Sequence, residues 1–396
     1  SAYQIWVKEV TRGLLTRASD RFTGWQNLLH HPVYGYLILG AVLLVMYEVI
    51  GVFGAGTVVD FLENQVFGEW LLPFLKKLFA PVLPPLIYDF FLGEYGMLSM
   101  AIPYSLALIL PLVTLFYLSF ALLEDMGYLP RIAVLLHRFF EKLGLTGRAV
   151  VPMLLGLGCV TMATLTTRIL QSKREKMLVT LLMALGIPCS AQLAVVFAML
   201  SGLGSTAVFL WASAVLLNLL LVAYISHRVF PKESSHFLIE LPPIRFPSIG
   251  NILQKTYSRT YWYLVEVIPL FILCTAILWA MDKMRILPVF ISLLSPIVVN
   301  WMHLPPETAT AFLIGFFRRD YGAAGLYALQ QQGILSFSGI VTSAVTITLF
   351  VPCLANFLMI WKERGREFAL YATAFIFTYA FLVGGLFHRL LLWMGL

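Results

Sequence analysis

Charge is scarce in this sequence: Asp, Glu, Lys and Arg make up 12% of its 396 residues, whereas 60% are hydrophobic. A soluble globular domain carries roughly twice that share of charge. Many apolar stretches reach the length of about 20 residues at which a helix can cross the hydrocarbon core of a bilayer. This pattern excludes a soluble domain of useful size. It predicts an all-α, polytopic membrane protein with seven to eight transmembrane helices.

Sequence motifs of enzymes are also missing. There is no GxxxxGK[ST] phosphate loop, no HExxH, no GxSxG and no CxxC, so we expect no enzymatic chemistry and no permanently bound cofactor. The four cysteines all lie in apolar stretches, which excludes a secreted disulfide framework. No basic cluster alternates with aromatic residues, so the net charge of +7 indicates cytoplasmic loops and anionic lipid, not nucleic acid.

Hydropathy separates full spans from two unusual apolar segments. Residues 147–170 and 308–330 are rich in Gly, Thr and Ala, and we expect both to be broken or re-entrant helices. The second segment carries Arg318, Arg319 and Asp320 at its middle, where charge is costly unless it is buried in protein. We expect Asp320 to pair with one of the arginines. The predicted full spans are 33–56, 98–123, 177–200, 204–228, 261–282, 338–361 and 366–394.

Basic residues predict the orientation in the membrane. With a cytoplasmic N-terminus and a re-entrant 147–170 segment, the basic loops 168–176, 228–260 and 362–367 all lie inside, as the positive-inside rule requires. The net acidic stretch 57–95 then lies outside, with four prolines that favour interfacial helices. The side of the C-terminus stays open.

A short motif occurs twice and reveals an internal repeat. Pro-Cys-x-Ala-amide appears as Pro188 to Gln192 and again as Pro352 to Asn356, so the cysteines are related by an offset of 164 (353 minus 189). Nearby landmarks repeat at offsets of 158 and 159 (288 minus 130 and 315 minus 156). Three full crossings between the copies make the second copy inverted. Inverted repeats with broken helices are typical of transporters, with the substrate site between the copies.

Sulfur and amide groups at these breaks predict a metal pathway. Thiols select softer transition metals over Na⁺, Mg²⁺ or Ca²⁺, and a thiol and an amide three residues apart share a helix face. The alternative is that each cysteine is only a packing residue, which we expect for Cys274. Four acids in or at the ends of spans are further candidates, because an acidic side chain within a membrane often has a function. The alternative is that these acids form structural ion pairs or are solvated. The candidate metal residues are Cys189, Cys353, Cys159, Gln192, Asn356, Met162, Glu48, Glu266, Glu124 and Asp125.

Several stretches resemble one known family. "LLEDMGYLPR" (122–131), "GLGCV" (156–160), "IELPPIRFPSIGNIL" (239–253), "GFFRRDYGAAGL" (315–326) and "VPCLANFLMIWKERG" (351–365) are similar to the membrane part of bacterial ferrous iron transport protein B, the FeoB family. The resemblance runs over nearly the whole chain. It implies that the two repeats are the gate modules that this family shares with nucleoside-recognition membrane proteins.

The resemblance implies a function and a set of partners. It implies Fe²⁺ transport across the bacterial inner membrane between the gate repeats, with Cys159, Cys189 and Cys353 as pathway thiols. It also implies GTP control through a GTPase domain or chain that this sequence lacks, small cytoplasmic accessory proteins and a homo-oligomer. The expected divisions are 1–32 (cytoplasmic amphipathic segment), 33–97 (first span and interfacial region), 98–200 (gate repeat 1), 201–260 (span and cytoplasmic loop), 261–361 (gate repeat 2) and 362–396 (last span).

Two other functions remain open at this point. An organic-solute carrier of the nucleoside type would be inhibited by nucleosides and indifferent to loss of the thiols. A membrane scaffold or regulator would bind a GTPase partner through loops 124–148 and 228–260 and would show no flux. The sequence does not distinguish Fe²⁺ from Mn²⁺ or Zn²⁺, because their ligand preferences overlap.

Overall fold

The computed structural model describes residues 32–79, 84–93, 96–229, 247–350 and 352–395. Across these ranges the chain consists of helices and short connections. Residues 1–31 of the predicted N-terminal segment and residues 230–246 of the predicted cytoplasmic loop 228–260 lie outside the described residues. The all-α prediction is confirmed for the part that the structure describes.

Three short α-helices of the described part precede the repeats. They are α1 (Pro32–Met46), α2 (Leu72–Phe79) and α3 (Pro85–Leu92). Between α1 and α2 the chain stays helical but turns more widely, as π-helix over Tyr47–Val59 and Phe61–Leu71. Helix α3 begins at a proline, which suits the first helical position because its missing N–H would have no helical partner there.

The other α-helices of the described ranges form two series of seven in the same order. Helix starts are related by an offset of 158 at α5 and α12 (286 minus 128) and of 164 at α8 and α15 (337 minus 173), as the sequence offsets predict. Repeat 1 consists of α4 (Leu110–Asp125), α5 (Tyr128–Lys142), α6 (Val150–Gly156), α7 (Val160–Thr166), α8 (Lys173–Gly186), α9 (Ser190–Ser201) and α10 (Ser205–Val229). Repeat 2 consists of α11 (Ile249–Lys283), α12 (Ile286–Pro296), α13 (Glu307–Phe317), α14 (Arg319–Gln331), α15 (Phe337–Leu349), α16 (Leu354–Arg364) and α17 (Arg366–Trp393).

The repeat extends to a turn with an unusual backbone conformation. Gly127, before α5, has φ 69° and ψ 22°, and Arg285, before α12, has φ 54° and ψ 28°. A left-handed conformation is uncommon for a residue with a side chain. Its retention at Arg285, at the same offset of 158 from Gly127 (285 minus 127), supports a shared fold in the two copies.

Among the described residues, fewer helices are long and apolar enough to cross a membrane than the sequence predicts for the whole chain. Five qualify in the described part, and the count is six if one pair bent by 88°, Thr275–Lys283 with Pro288–Trp301, is taken as a single broken span. The prediction of seven to eight is therefore not reached. In the predicted first span, the structure has only a short apolar helix, Gly40–Ile50, and the change from α- to π-helix at Tyr47 falls within it. The five spans are Ser105–Asp125, Lys173–Ser201, Ser205–Ser226, Phe337–Arg364 and Arg366–Trp393.

Helices α8 and α15 form the centre of the core. Each begins with a serine cap: the Ser172 hydroxyl accepts from the Glu175 N–H, and the Ser336 hydroxyl from the Gly339 N–H. In α15 every residue from 338 to 349 is buried, and in α8 so is every residue from 182 to 186. Helix α15 therefore has protein neighbours on every face, and the side chains it buries include hydroxyl groups, those of Ser338, Thr342, Ser343, Thr346 and Thr348. Both central helices end where a Pro-Cys motif begins.

Candidate metal pathway between the repeats

Four breaks between helices meet at one place in the molecule. Each break precedes a new helix: Cys159 precedes α7, Cys189 precedes α9, Arg318 precedes α14 and Cys353 precedes α16. Equivalent breaks have matching backbones. Cys159 has φ −151° and ψ 115°, and Arg318 has φ −144° and ψ 111°. Cys189 and Cys353 also match, with φ −75°, ψ 163° and φ −55°, ψ 155°.

Proline causes two of these breaks. Pro188 and Pro352 have no N–H, so neither can continue the hydrogen bonding of α8 or α15. The chain leaves the two helices in an extended conformation, at Ile187 and at Phe350. A new helix starts directly after the cysteine in both copies, at Ser190 and Leu354. The last carbonyls of α8 and α15 therefore need partners from elsewhere.

The break at Arg318 turns the chain back on itself. A methyl group placed on Gly322 would lie 2.5 Å from the Gly315 Cα atom. In a continuous helix these residues would be about 10 Å apart along the axis, at 1.5 Å per residue. Helices α13 and α14 are thus a tight hairpin whose two arms touch through glycine, which agrees with the broken or re-entrant helix predicted at 308–330.

A cavity of about 110 Å³ lies where the breaks meet. Three thiols, Cys159, Cys189 and Cys353, line it together with the Met162 thioether. Its charged wall contains Arg318, Arg319 and Asp320, and its apolar wall includes Ile50, Leu112, Val113, Phe116 and Phe317. The structure therefore brings together the three cysteines and the methionine that the sequence singles out.

Two tyrosines contact the sulfur atoms of the cavity. The Tyr263 hydroxyl lies 3.8 Å from the Cys159 Sγ atom, and the Tyr117 hydroxyl donates to the Met162 Sδ atom at 3.3 Å. Neither tyrosine is among the site residues that the sequence predicts. In the run 261–263 the neighbours Tyr261 and Trp262 are exposed, as aromatic anchors would be, while Tyr263 is 5% exposed and lines the cavity. The sequence holds one signal that could have indicated Tyr263: when several aromatic residues are consecutive in a helix, only some of them can face the protein interior.

The amides of the two Pro-Cys motifs point elsewhere. Gln192 donates to the Ile347 carbonyl at 2.7 Å, and the Asn356 Oδ1 atom accepts from the Thr164 hydroxyl at 3.0 Å. Neither amide is among the residues that line the cavity. Each amide instead crosses to the other repeat, since Gln192 reaches α15 and Asn356 reaches α7. Their geometry supports a role in joining the repeats.

Buried charge surrounds the cavity on one side. Arg318 and Asp320 form an ion pair with a 2.9 Å N–O distance, as expected, and the Arg318 guanidinium lies 3.3 Å from the centre of the Tyr321 ring. Arg319 is 4% exposed and donates to the carbonyls of Ala184, Ile187 and Phe350. These contacts lie within protein, which is the condition under which intramembrane charge is tolerated.

Three of the four candidate acids, Glu48, Glu124 and Asp125, are not among the described residues that line the cavity. Glu48 is exposed, and the placement of the Glu266 side chain in α11 lies outside the described part. Glu124 and Asp125, at the end of α4, pair with Lys255, at 3.3 Å and 2.7 Å. These two pairs favour the structural alternative for Glu124 and Asp125.

The thiols share a cavity but are not already clustered. Among the described residues, no group of three or more His, Cys, Asp and Glu side chains is close enough to hold a metal ion. Sulfur from Cys159, Cys189, Cys353 and Met162 can offer soft ligands one or two at a time. A conduction pathway needs such moderate binding, because an ion held by a full ligand set would not leave.

Comparison with known families identifies the two repeats. The family model called Gate, described as nucleoside recognition, matches residues 106–203 and again 264–367, which is just over half of the chain. A second model, described as the ferrous iron transport protein B C terminus, matches residues 208–259 between them. The chain belongs to the FeoB family. The starts of the two Gate matches differ by 158 (264 minus 106) and their ends by 164 (367 minus 203), as the helix bounds do.

Several curated proteins of the FeoB family are similar to this chain. The Fe(2+) transporter FeoB of Methanocaldococcus jannaschii is 23% identical, over 69% of this chain and 46% of its own length. That of Synechocystis is 25% identical, over 93% of this chain and 63% of its own length. In Porphyromonas gingivalis, a fusion of Fe(2+) transport protein A and FeoB is 26% identical, over 64% of this chain and 29% of its own length. The chain spans about half the length of the curated relatives it matches.

Proposed function

We propose that this chain forms the membrane pathway for Fe²⁺, with the cavity between the two gate repeats as its narrow part. The observation that carries this proposal is that three thiols from three separate helix breaks line one cavity. Packing alone gives no reason for cysteines far apart in sequence to meet at broken helices. Relatives named Fe(2+) transporter FeoB support iron as the cargo.

The chemistry of the cavity suits a transition-metal ion. Fe²⁺ accepts thiolate and thioether sulfur, whereas Mg²⁺ and Ca²⁺ prefer oxygen ligands. Cys159, Cys189 and Cys353 would replace water molecules of the ion stepwise as it moves past the four breaks.

Ion pairs support an inverted arrangement of the two repeats. Arg168 pairs with Glu363, so the basic loops 168–176 and 362–367 meet. Lys255 pairs with Glu124 and Asp125, so the end of α4 meets the start of α11. If these basic regions are cytoplasmic, α4 runs inward and its equivalent α11 runs outward.

The opposite side of the membrane is marked by another contact. Asp89, in the stretch predicted to face outward, pairs with Lys283 at the end of α11, with a 2.5 Å N–O distance. This contact favours an α11 that starts on the cytoplasmic side of the membrane and ends on the outer side. In this orientation the N-terminus is cytoplasmic. We place the chain in the inner membrane, as the family resemblance implies.

Control of the pathway belongs to partners in this proposal. We place GTP binding and hydrolysis in a GTPase domain or chain that acts on the gate repeats, so that the membrane part itself has no enzymatic activity. The fusion in Porphyromonas gingivalis joins Fe(2+) transport protein A to FeoB in one chain, which favours a small accessory protein as a further partner. A homo-oligomer in the bilayer remains part of the proposal.

Metal entry into vesicles tests the function. Purified chain is reconstituted into vesicles that contain a fluorescent Fe²⁺ chelator, and uptake is measured with Zn²⁺, Mn²⁺ or nucleosides as competitors. We expect Fe²⁺ uptake that Zn²⁺ and Mn²⁺ reduce and nucleosides do not. Inhibition of uptake by nucleosides would favour the organic-solute carrier. The scaffold would be favoured if the folded chain admits no metal but binds a GTPase.

A further inference from the structure

Arg319 ties together the two Pro-Cys breaks. It lies at the start of α14, and its guanidinium reaches the end of α8 in repeat 1 and the end of α15 in repeat 2. Nη1 donates to the Ile187 carbonyl at 3.2 Å, and Nη2 donates to the Ala184 carbonyl and to the Phe350 carbonyl, the latter at 2.8 Å. One side chain that lines the cavity therefore binds main-chain oxygens of both copies. The residues that carry these oxygens, Ala184, Ile187 and Phe350, are not themselves among the residues that line the cavity.

These carbonyls are the ones that the breaks leave without helical partners. In an unbroken helix the Ala184 carbonyl would accept from the N–H of residue 188, but that residue is proline. Ile187 and Phe350 lie beyond the last residues of α8 and α15. Such oxygens inside a membrane need donors, and Arg319 supplies them.

The same oxygens are suitable ligands for a dehydrated cation. Main-chain carbonyls aimed at one point replace hydration water in ion-selective membrane pathways. Here the point is taken by the guanidinium, a positive charge fixed to the protein. It lies beside Cys189 and Cys353, which line the same cavity. A divalent ion and the guanidinium repel each other, so both cannot occupy this place at once.

The arrangement exists in one repeat only. At the offset of 159 that relates Cys159 to Arg318, the counterpart of Arg319 is Val160. Valine cannot donate to a carbonyl or carry charge. The asymmetry indicates that one arginine serves both breaks, and that movement of α14 alone would release α8 and α15 together.

We propose that Arg319 is a tethered cation that keeps the pathway closed by occupying the carbonyl site of Ala184, Ile187 and Phe350. When the side chain leaves, these oxygens and the thiols of Cys189 and Cys353 become available to the metal. This inference rests on the proposed function for the identity of the cargo. The closure itself does not depend on which cation crosses.

Thiol accessibility tests the closure without using iron. The full chain, purified in detergent, is treated with a cationic methanethiosulfonate reagent, and modification of Cys189 and Cys353 is followed by peptide mass spectrometry. We expect Arg319→Met to raise the modification rate by at least about tenfold, since hydrogen bonds from a charged donor no longer hold the breaks together. Arg131→Met is the matched control, because Arg131 is also buried but donates to the Gly127 carbonyl next to its own helix.

A second variant keeps the test decisive if Arg319→Met does not fold. Arg319→Lys retains the charge but not the planar fork that reaches several carbonyls, so we expect a rate between those of the wild type and Arg319→Met. Rates equal to the wild type in folded Arg319 variants would overturn the proposal, and so would an equal rise in Arg131→Met.

Metal uptake by the same proteins separates the two proposals. Faster thiol modification together with faster Fe²⁺ entry supports both. Faster modification with no Fe²⁺ entry in any variant supports closure by Arg319 and contradicts iron as the cargo. Fe²⁺ entry that Arg319→Met leaves unchanged, with unchanged thiol modification, supports the cargo and contradicts the closure.

Discussion

Cys159 and Arg318 occupy the same position in the two gate repeats, with nearly identical backbone conformations and different chemistry. One copy places a thiol at this break, and the other places a guanidinium paired with Asp320. Cys189 and Cys353, at the second pair of equivalent breaks, are both thiols. The symmetry of the backbone is therefore kept, while the side chains at the cavity make its two halves unequal.

The hairpin of α13 and α14 depends on glycine at its contact point. A methyl group on Gly322 would also lie 2.7 Å from the Ala311 carbonyl oxygen, so the arms would have to separate. We expect Gly322→Ala to lower the free energy of unfolding by roughly 1–3 kcal/mol, the usual cost of overpacking. Thermal unfolding in detergent measures the change.

Gly250→Ala is the control for this hairpin test. Gly250 lies in α11, and a methyl group there would meet nothing within 4 Å. Alanine in a helix is favoured over glycine by roughly 0.5–1 kcal/mol, so Gly250→Ala should be neutral or stabilising. Equal losses of stability in both variants would contradict the close contact between the hairpin arms.

The amide of Gln192 joins the repeats through the Ile347 carbonyl. This carbonyl belongs to the last turn of α15, where helical donors run out. We expect Gln192→Ala to cost about 1–3 kcal/mol of stability, because the buried carbonyl loses its partner. Chemical unfolding measures this against Ser201→Ala, an exposed position in the same helix with only a local hydrogen bond. A loss no larger than that of the control would contradict a joining role for Gln192.

Acid should loosen the contact between α3 and the end of α11. Hydrogen bonding to Lys283 and to the Trp279 indole lowers the pKa of the Asp89 carboxyl group below its ordinary value. Because the folded-state pKa is the lower one, the contact contributes stability above about pH 4 and loses it as the pH falls through the folded-state pKa. The contribution of Trp279 to the fluorescence, obtained by difference from Trp279→Phe, should change in this acidic range.

Asp89→Asn provides the control for the acid effect. The amide has no proton to gain in this range, so the fluorescence of Trp279 should then be independent of pH between about 2 and 5. An unchanged acid transition in Asp89→Asn would show that another group controls the contact.

Much of the gate architecture can be predicted from the sequence because it rests on local chemistry. Proline at 188 and 352 breaks a helix wherever it stands, and a repeated motif carries its offset in the numbering. Intramembrane charge in a segment rich in Gly, Thr and Ala predicts a broken or re-entrant helix at 308–330, and its Arg318–Asp320 pair is confirmed.

Other features depend on contacts that are distant in sequence. The first predicted span differs from the structure in length because apolarity alone does not reveal a change from α- to π-helix after Met46. The bridge from Arg319 to Ala184 joins residues 135 positions apart, and no local pattern indicates it. The inward orientation of Tyr263 likewise depends on how α11 packs against α4. The aromatic run 261–263 at the end of a span suggests interfacial anchors instead.

Fe²⁺ uptake after removal of two thiols is the most direct test of a pathway through the gate repeats. Cys189 and Cys353 are both replaced by Ser, and uptake into chelator-loaded vesicles is compared with the wild type and with Cys274→Ser, which changes a thiol outside the Pro-Cys motifs. We predict a loss of roughly 10- to 100-fold, the scale on which disturbed metal sites lose affinity or activity, with Cys274→Ser near the wild-type rate. Unchanged uptake in a folded double variant would contradict a pathway through the thiols of the gate repeats.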